Sequence, residues 1–193
     1  MAGSACDSVI AYLDGLQSLL KQVPRAPIDE FAALVFRAWR DRRRVYAFGN
    51  GGSAHTASHL VTDLVKTAAV SGRPRLRAVS LVDNVGLATA IGNDISYDQT
   101  LCYPLESYAE KGDIAVAISC SGNSPNVLRA CEWARGNGLT IVALTALDGG
   151  ALARLAHVHV NVPGDNYGMV EDVHLSVCHV VAQILHARMA NES

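Results

Sequence analysis

The sequence has 193 residues, half of them hydrophobic, and a formal net charge of −2. That length suits one domain with a sizeable core. The near-neutral charge argues against an extended nucleic-acid surface, and no stretch is apolar enough for long enough to span a bilayer. The N-terminus carries no basic region leading into an apolar signal core. The five cysteines (Cys6, Cys102, Cys120, Cys131, Cys178) are scattered and form no CxxC pair. The expectation is therefore a cytoplasmic protein with reduced thiols and with neither nucleic acid nor membrane as a partner.

The chain opens on two amphipathic helices. Val9, Leu13, Leu16, Leu19 and Leu20 recur at helical spacing, Pro24 and Pro27 interrupt the pattern, and Phe31, Leu34, Val35 and Trp39 resume it. The basic run Arg42–Arg44 falls at the end of the second helix, where cations complement the helix dipole. Five short apolar runs follow, separated by helical segments: VYAF at 45–48, AVSLV at 78–82, IAVAIS at 114–119, TIVALT at 140–145 and HVHVNV at 157–162. Helices are expected after the Gly49–Ser53 turn, near Val85–Ile91, through Trp133, briefly after ALDGG, and from about Tyr167 to Met189.

Strands that alternate with helices imply a mainly parallel sheet covered on both faces. IAVAIS and TIVALT are apolar almost throughout, as central strands must be, whereas HVHVNV alternates, as an edge strand with one wet face does. The fold class is α/β: a three-layer α/β/α sandwich of flavodoxin-like type with a five-stranded, mainly parallel sheet, plus N-terminal helices. Residues 1–193 are expected to form one domain, with segment 1–43 used in packing and oligomerisation. Sites in such folds lie at the carboxyl ends of the strands, which directs attention to the turns after Phe48, Ser119 and Val162.

GNGGS, at 49–53, puts three glycines in four residues at a helix start. The backbone can turn sharply there and present N–H groups to an anion. It lacks the GK[ST] of a P-loop and the GxGxxG spacing of a dinucleotide site. On the glycines alone, a phosphate cradle and a plain tight turn stay equally open. SCSGNS, at 119–124, places hydroxyls at Ser119, Ser121 and Ser124 around Gly122 at another helix start. Ser124 can cap that helix with Pro125 at its first position, but three serines exceed what a cap needs and point to an anion site. GND, at 92–94, reads by itself as an ordinary turn.

His55, His59 and Asp63 follow at successive i, i+4 steps along one helical stripe. Such a stripe either faces solvent or offers ligands to a divalent metal, or acid and base to a substrate. The last helix carries Glu171, Asp172, His174 and His179 among apolar residues. Asp172 shares a face with His179, and Glu171 lies about 80° from His179 around the axis, within convergence on a small ion. His174 lies farther from that face and reads as structural or partner-facing. His157, His159 and His186 read as surface residues.

Taken together, GNGGSAHTASH, AIGND, AISCSGNS, ALTALDGG and EDVHLSVCH resemble, in order and spacing and over nearly the whole chain, the sugar isomerase (SIS) domain family and within it the phosphoheptose isomerases. The resemblance implies a phosphate-binding serine loop at Ser119, Cys120, Ser121 and Ser124. It implies substrate contacts at Asn50, Gly51, Gly52 and Ser53, at Asn93 and Asp94, and at Glu171. It also implies a divalent metal, usually zinc, held at the positions of His59, Asp63, Glu171 and His179. Two of these differ from the family pattern: Asp63 stands for the usual Glu, and Glu171 for the usual Gln. An Arg that many relatives carry shortly after the first-helix acid is missing, with Lys66 and Thr67 in that region.

The implied chemistry is aldose–ketose isomerisation of a sugar phosphate, sedoheptulose 7-phosphate in the first place, with Asp63 as base and His179 as its acid partner. The implied assembly is a homotetramer. Some relatives are not enzymes: they sense phosphosugars or bind a replication initiator, and they tend to lose the His/acid pairs. Retention of His59, Asp63 and His179 favours the enzyme.

Overall fold

The structure, a computed structural model, describes residues 6–192; residues 1–5 and 193 of the expected 1–193 domain lie outside the described residues. Helix α1 (Val9–Gln22) starts at Ser8, whose side chain accepts from the Ala11 N–H, as an N-cap serine does. Helix α2 (Arg25–Arg40) tolerates Pro27 in its first turn, where an N–H has no intrahelical partner to lose. The chain leaves α2 through Arg42, which holds a left-handed φ of 57°. The basic run therefore lies in the turn and at the start of the first strand, past the helix end where the sequence placed it.

Five strands follow: β1 (Arg44–Gly49), β2 (Arg77–Ser80), β3 (Ile114–Ser119), β4 (Thr140–Ala146) and β5 (Val158–Val162). They form one sheet in the order β2-β1-β3-β4-β5, and every pairing is parallel. Strand period two divides the core. Val45 and Ala47 of β1 join one apolar cluster with Phe31 and Val35 of α2, and Tyr46 and Phe48 join another on the opposite face. The first cluster takes in helices α3 (Gly52–Thr62) and α8 (Tyr167–Asn191). The second takes in α5 (Cys102–Tyr108), α6 (Pro125–Gly136) and α7 (Gly150–Leu155). Each fully buried Phe or Leu in these layers contributes about 1.5–3 kcal/mol. A third cluster, with Leu19, Cys120, Val162 and Met169, closes the carboxyl edge of the sheet beneath α1.

The expected three-layer sandwich and the edge position of HVHVNV hold, and β5 alternates buried and half-buried residues. Three further expectations change. The strand expected at 78–82 ends at Ser80, because Ser80 and Ser58 turn their hydroxyls to Asp83, while Leu81 N–H still reaches the Ala47 carbonyl. GND is no turn: α4 (Val85–Asp94) runs through it. And α3 does not continue as a regular helix past Thr62, but widens into a single π-helical stretch, Asp63–Thr67.

Candidate active site

The strand order turns back between β1 and β3. The helix leaving β1, α3, packs on one face of the sheet, and the helix leaving β3, α6, packs on the other. Their N-termini therefore flank a crevice outside the carboxyl ends of the two strands, the place where open α/β sheets bind ligands. A pocket of about 310 Å³ occupies that crevice. Its walls are Asn50, Gly51, Gly52 and Ser53 from the first turn, Ser119, Cys120, Ser121 and Ser124 from the second, and Tyr167 and Glu171 from α8. The two loops that the sequence singled out thus face each other across one cavity.

Ser124 sits at the N-cap of α6 with Pro125 next, as expected, yet its side chain makes no capping bond. The hydroxyl instead stands 3.4 Å from that of Ser119, so it remains available to the pocket. Ser121 Oγ accepts from the Asn123 N–H. Gly122 holds a φ of 61° and packs against the Gly149 carbonyl where a Cβ would lie, so only glycine fits both conditions. Asn50 is held from outside the pocket. Its amide exchanges hydrogen bonds with Asn126 (2.8 and 2.9 Å), and Tyr97 donates to its carbonyl oxygen at 3.0 Å.

Glu171 crosses from α8 and rests its carboxyl group on the α-carbon of Gly52, filling the space of a Cβ. The group is a carboxylate placed against the N-terminus of α3, a favourable position for negative charge. Burial pushes its pKa up, the neighbouring Asp172 adds to the rise, and His55 opposes it. Burial and the Glu171 charge in turn push the Cys120 thiol up to about 11, so Cys120 lines the pocket as an un-ionised thiol.

Farther along the same pair of helices, His59, Asp63 and His179 converge. Asp63 Oδ2 lies 3.4 Å from His59 Nε2 and 3.6 Å from His179 Nε2, and the two Nε2 atoms are 2.9 Å apart. Asp63 is buried, its Oδ1 accepts from the Thr67 hydroxyl at 2.9 Å, and its Oδ2 has no hydrogen-bond partner. Two imidazoles and a carboxylate with one atom each inside a single small space are a donor set suited to a divalent cation.

Other residues singled out in the sequence stand elsewhere. Glu171 borders the serine pocket and is not among the three converging side chains. Asn93 and Asp94 are exposed, bonded to each other at 2.8 Å, and do not line the pocket. Asp172 turns away from His179, since Tyr12 donates to it at 2.7 Å. His55 bonds the Gly51 carbonyl. His174 is structural: fully buried, it bonds the Thr145 carbonyl at 3.0 Å. His159 is not a surface residue. It is half-buried and bonded to the Thr145 hydroxyl, while His157, though exposed, accepts from the Ile141 N–H.

The sequence model of the SIS domain matches residues 11–146. The chain belongs to the SIS domain family. A phosphoheptose isomerase of Shewanella loihica is 37% identical to it over 175 residues, 89% of this chain and 86% of the relative. Among solved structures, a phosphoheptose isomerase from Francisella tularensis superposes with a TM-score of 0.88 at 26% identity, covering 94% of this chain and 97% of that one. One from Neisseria gonorrhoeae superposes with a TM-score of 0.86 at 28% identity, covering 93% and 97%.

Within this SIS domain some supporting residues carried no signal in the sequence. Asn126, buried behind the pocket, and Tyr97, on a short 3-10 turn, come to Asn50 from 76 and 47 residues away. Tyr167 opens α8 and closes one side of the pocket. Thr67 looked like a gap in the family pattern and instead holds the carboxylate of Asp63.

Proposed function

We propose that this SIS domain is an aldose–ketose isomerase of sugar phosphates, converting D-sedoheptulose 7-phosphate to D-glycero-D-manno-heptose 7-phosphate. Relatives named phosphoheptose isomerase, at 33–37% identity over most of the chain, support the substrate class. The observation that carries the reading is Asp63, a buried carboxylate with one oxygen free of hydrogen bonds and turned to two histidines.

The serine pocket anchors the phosphate. The hydroxyls of Ser119, Ser121 and Ser124 and the N–H groups opening α6 bind its oxygens. Asn50, Gly51, Gly52 and Ser53 hold the sugar chain, Glu171 accepts from its hydroxyls, and Cys120 adds an uncharged wall. Asn93 and Asp94 lie outside this pocket, and the family resemblance alone assigns them to sugar binding. At the reacting end Asp63 takes the proton from C1 as the C1–C2 double bond forms. His179 supplies a proton to the carbonyl oxygen at C2. Return of a proton to C2, with loss of the O1 proton, leaves the aldose.

A divalent metal, zinc in our reading, fits the cluster. Bonds of about 2.0–2.1 Å set tetrahedral ligands about 3.3 Å apart, close to the 2.9, 3.4 and 3.6 Å triangle of His59, Asp63 and His179. His59, Asp63 and His179 would hold it; Glu171, the fourth ligand that the resemblance implies, would have to leave its place against Gly52 to join them. When bound it would polarise the substrate oxygens and stabilise negative charge on them.

The same reading takes the protein as a cytoplasmic homotetramer. No helix among the described residues is long and apolar enough to cross a membrane, and α1 leaves Val9, Ile10 and Leu13 exposed, as does α8 Val180, consistent with subunit packing. The test is turnover of sedoheptulose 7-phosphate by the purified chain, with and without chelator. A metal-free protein inert toward several ketose phosphates would overturn the reading and leave a binding module.

A further inference from the structure

Asp63 stands where two hydrogen-bond ladders meet. Its own N–H donates to the carbonyls of His59 and Leu60, the regular helical pattern, while its carbonyl accepts from the N–H of Ala68, five residues on, at 2.8 Å. The widened turn is the single π-helical stretch of the described residues, and such insertions in α-helices cluster at functional positions. It has a second effect. A threonine four residues after a helical position commonly bonds that position's backbone carbonyl. Here Ala68 takes the carbonyl, and the Thr67 hydroxyl reaches the side chain, donating to Asp63 Oδ1 at 2.9 Å. With Oδ1 engaged, Oδ2 alone faces His59 and His179.

We infer that Thr67 is a positioning residue: its hydroxyl and the π turn together fix the rotation of the short Asp63 carboxylate, so that one defined oxygen is presented to the histidine pair and to the ion they would hold. Without the hydroxyl the carboxylate is free to rotate about its last torsion and to divide its time between both oxygens. The site then loses pre-organisation for metal and for proton transfer. This inference deepens the isomerase reading but has a readout independent of it.

The test is titration of the full-length metal-free chain with Co²⁺ alone, followed by the visible absorption of the bound ion, for wild type, Thr67→Val and Thr67→Ser. Thr67→Val keeps the shape and removes the hydroxyl; it should weaken Co²⁺ binding about 10-fold or more, the usual cost of deleting a group that orients a ligand. Thr67→Ser should bind within about twofold of wild type, because the donor is retained. With sedoheptulose 7-phosphate, Thr67→Val should lower kcat and leave KM unchanged, since Thr67 is not in the serine pocket. Equal Co²⁺ affinity of wild type and Thr67→Val overturns the inference, as does a Thr67→Ser as weak as Thr67→Val, or a wild type that takes up no Co²⁺. If the affinities order as expected and no variant turns over the sugar phosphate, the isomerase reading fails and the role of Thr67 stands.

Discussion

His59 and His179 meet Nε2 to Nε2 at 2.9 Å, although 120 residues separate them in the chain. One comes from the helix that leaves β1, the other from the last helix, and Asp63 lies beneath both. Two ring nitrogens at this distance satisfy each other only when one carries the proton and the other does not. A divalent ion would remove that restriction, because both rings, as neutral imidazoles, would donate a lone pair to it. Chelation should therefore abolish isomerisation, and added Zn²⁺ or Co²⁺ should restore it. Full activity in metal-free protein, checked by elemental analysis, would contradict the metal assignment.

Glu171 resting on Gly52 makes a second expectation specific. In Gly52→Ala the new methyl meets the end of a flexible side chain and not backbone. The fold should survive, with a melting temperature close to wild type, while Glu171 is pushed out of place. Catalytic efficiency should fall about 10- to 100-fold, as displacements of about 1 Å in active sites do. In a double-mutant cycle with Glu171→Ala the two losses should not add, because they remove the same contact. Additive losses would separate Glu171 from Gly52.

Ser124 tests whether the serine loop is a cap or an anion site. An N-cap serine that bonds its helix costs about 1 kcal/mol when replaced by alanine. The Ser124 hydroxyl makes no such bond, so Ser124→Ala should change stability by less than about 0.5 kcal/mol. Losing a hydrogen bond to a charged phosphate should still raise KM about 10-fold or more. A destabilised variant with unchanged KM would return the residue to a capping role.

His174 gives the fold a pH dependence. Burial holds its pKa down at about 4, against 6.5 in an exposed histidine, and only the Thr145 carbonyl opposes this. Between those values the unfolded chain binds the proton and the folded chain does not, so stability is full above about pH 6.5 and falls as the pH drops toward 4. By pH 5 the loss from this group should approach about 2 kcal/mol. Chemical denaturation at pH 7 and pH 5 should show a smaller drop in His174→Gln than in wild type, by about that amount. Equal drops would mean that His174 does not titrate on unfolding.

The sheet was readable because parallel strands buried on both faces must be apolar at nearly every position, as IAVAIS and TIVALT are. AVSLV misled because Leu81 and Val82 pack beside the strand without belonging to it. GND misled because a glycine and two short polar residues usually break a helix, and here they end one from inside. Within the site, the His59–Asp63 step was visible as an i, i+4 spacing, and its partner His179 came with the family resemblance. Asn126, Tyr97 and Thr67 were not visible. The first two act across long sequence separations, and Thr67 depends on a π turn that no local pattern announces. His174 and His179 sit five apart on one helix, and their opposite fates, buried and exposed, follow from which side of α8 meets the sheet.

The most direct measurement is the rate of sedoheptulose 7-phosphate isomerisation by Asp63→Asn, a substitution of nearly the same shape that removes the negative charge. Turnover should slow by about two orders of magnitude or more relative to wild type, the scale of a lost general base, with C1–H exchange into deuterated water lost in parallel. An Asp63→Asn enzyme that still isomerises the sugar and exchanges that proton at near wild-type rates would show that Asp63 is not the base.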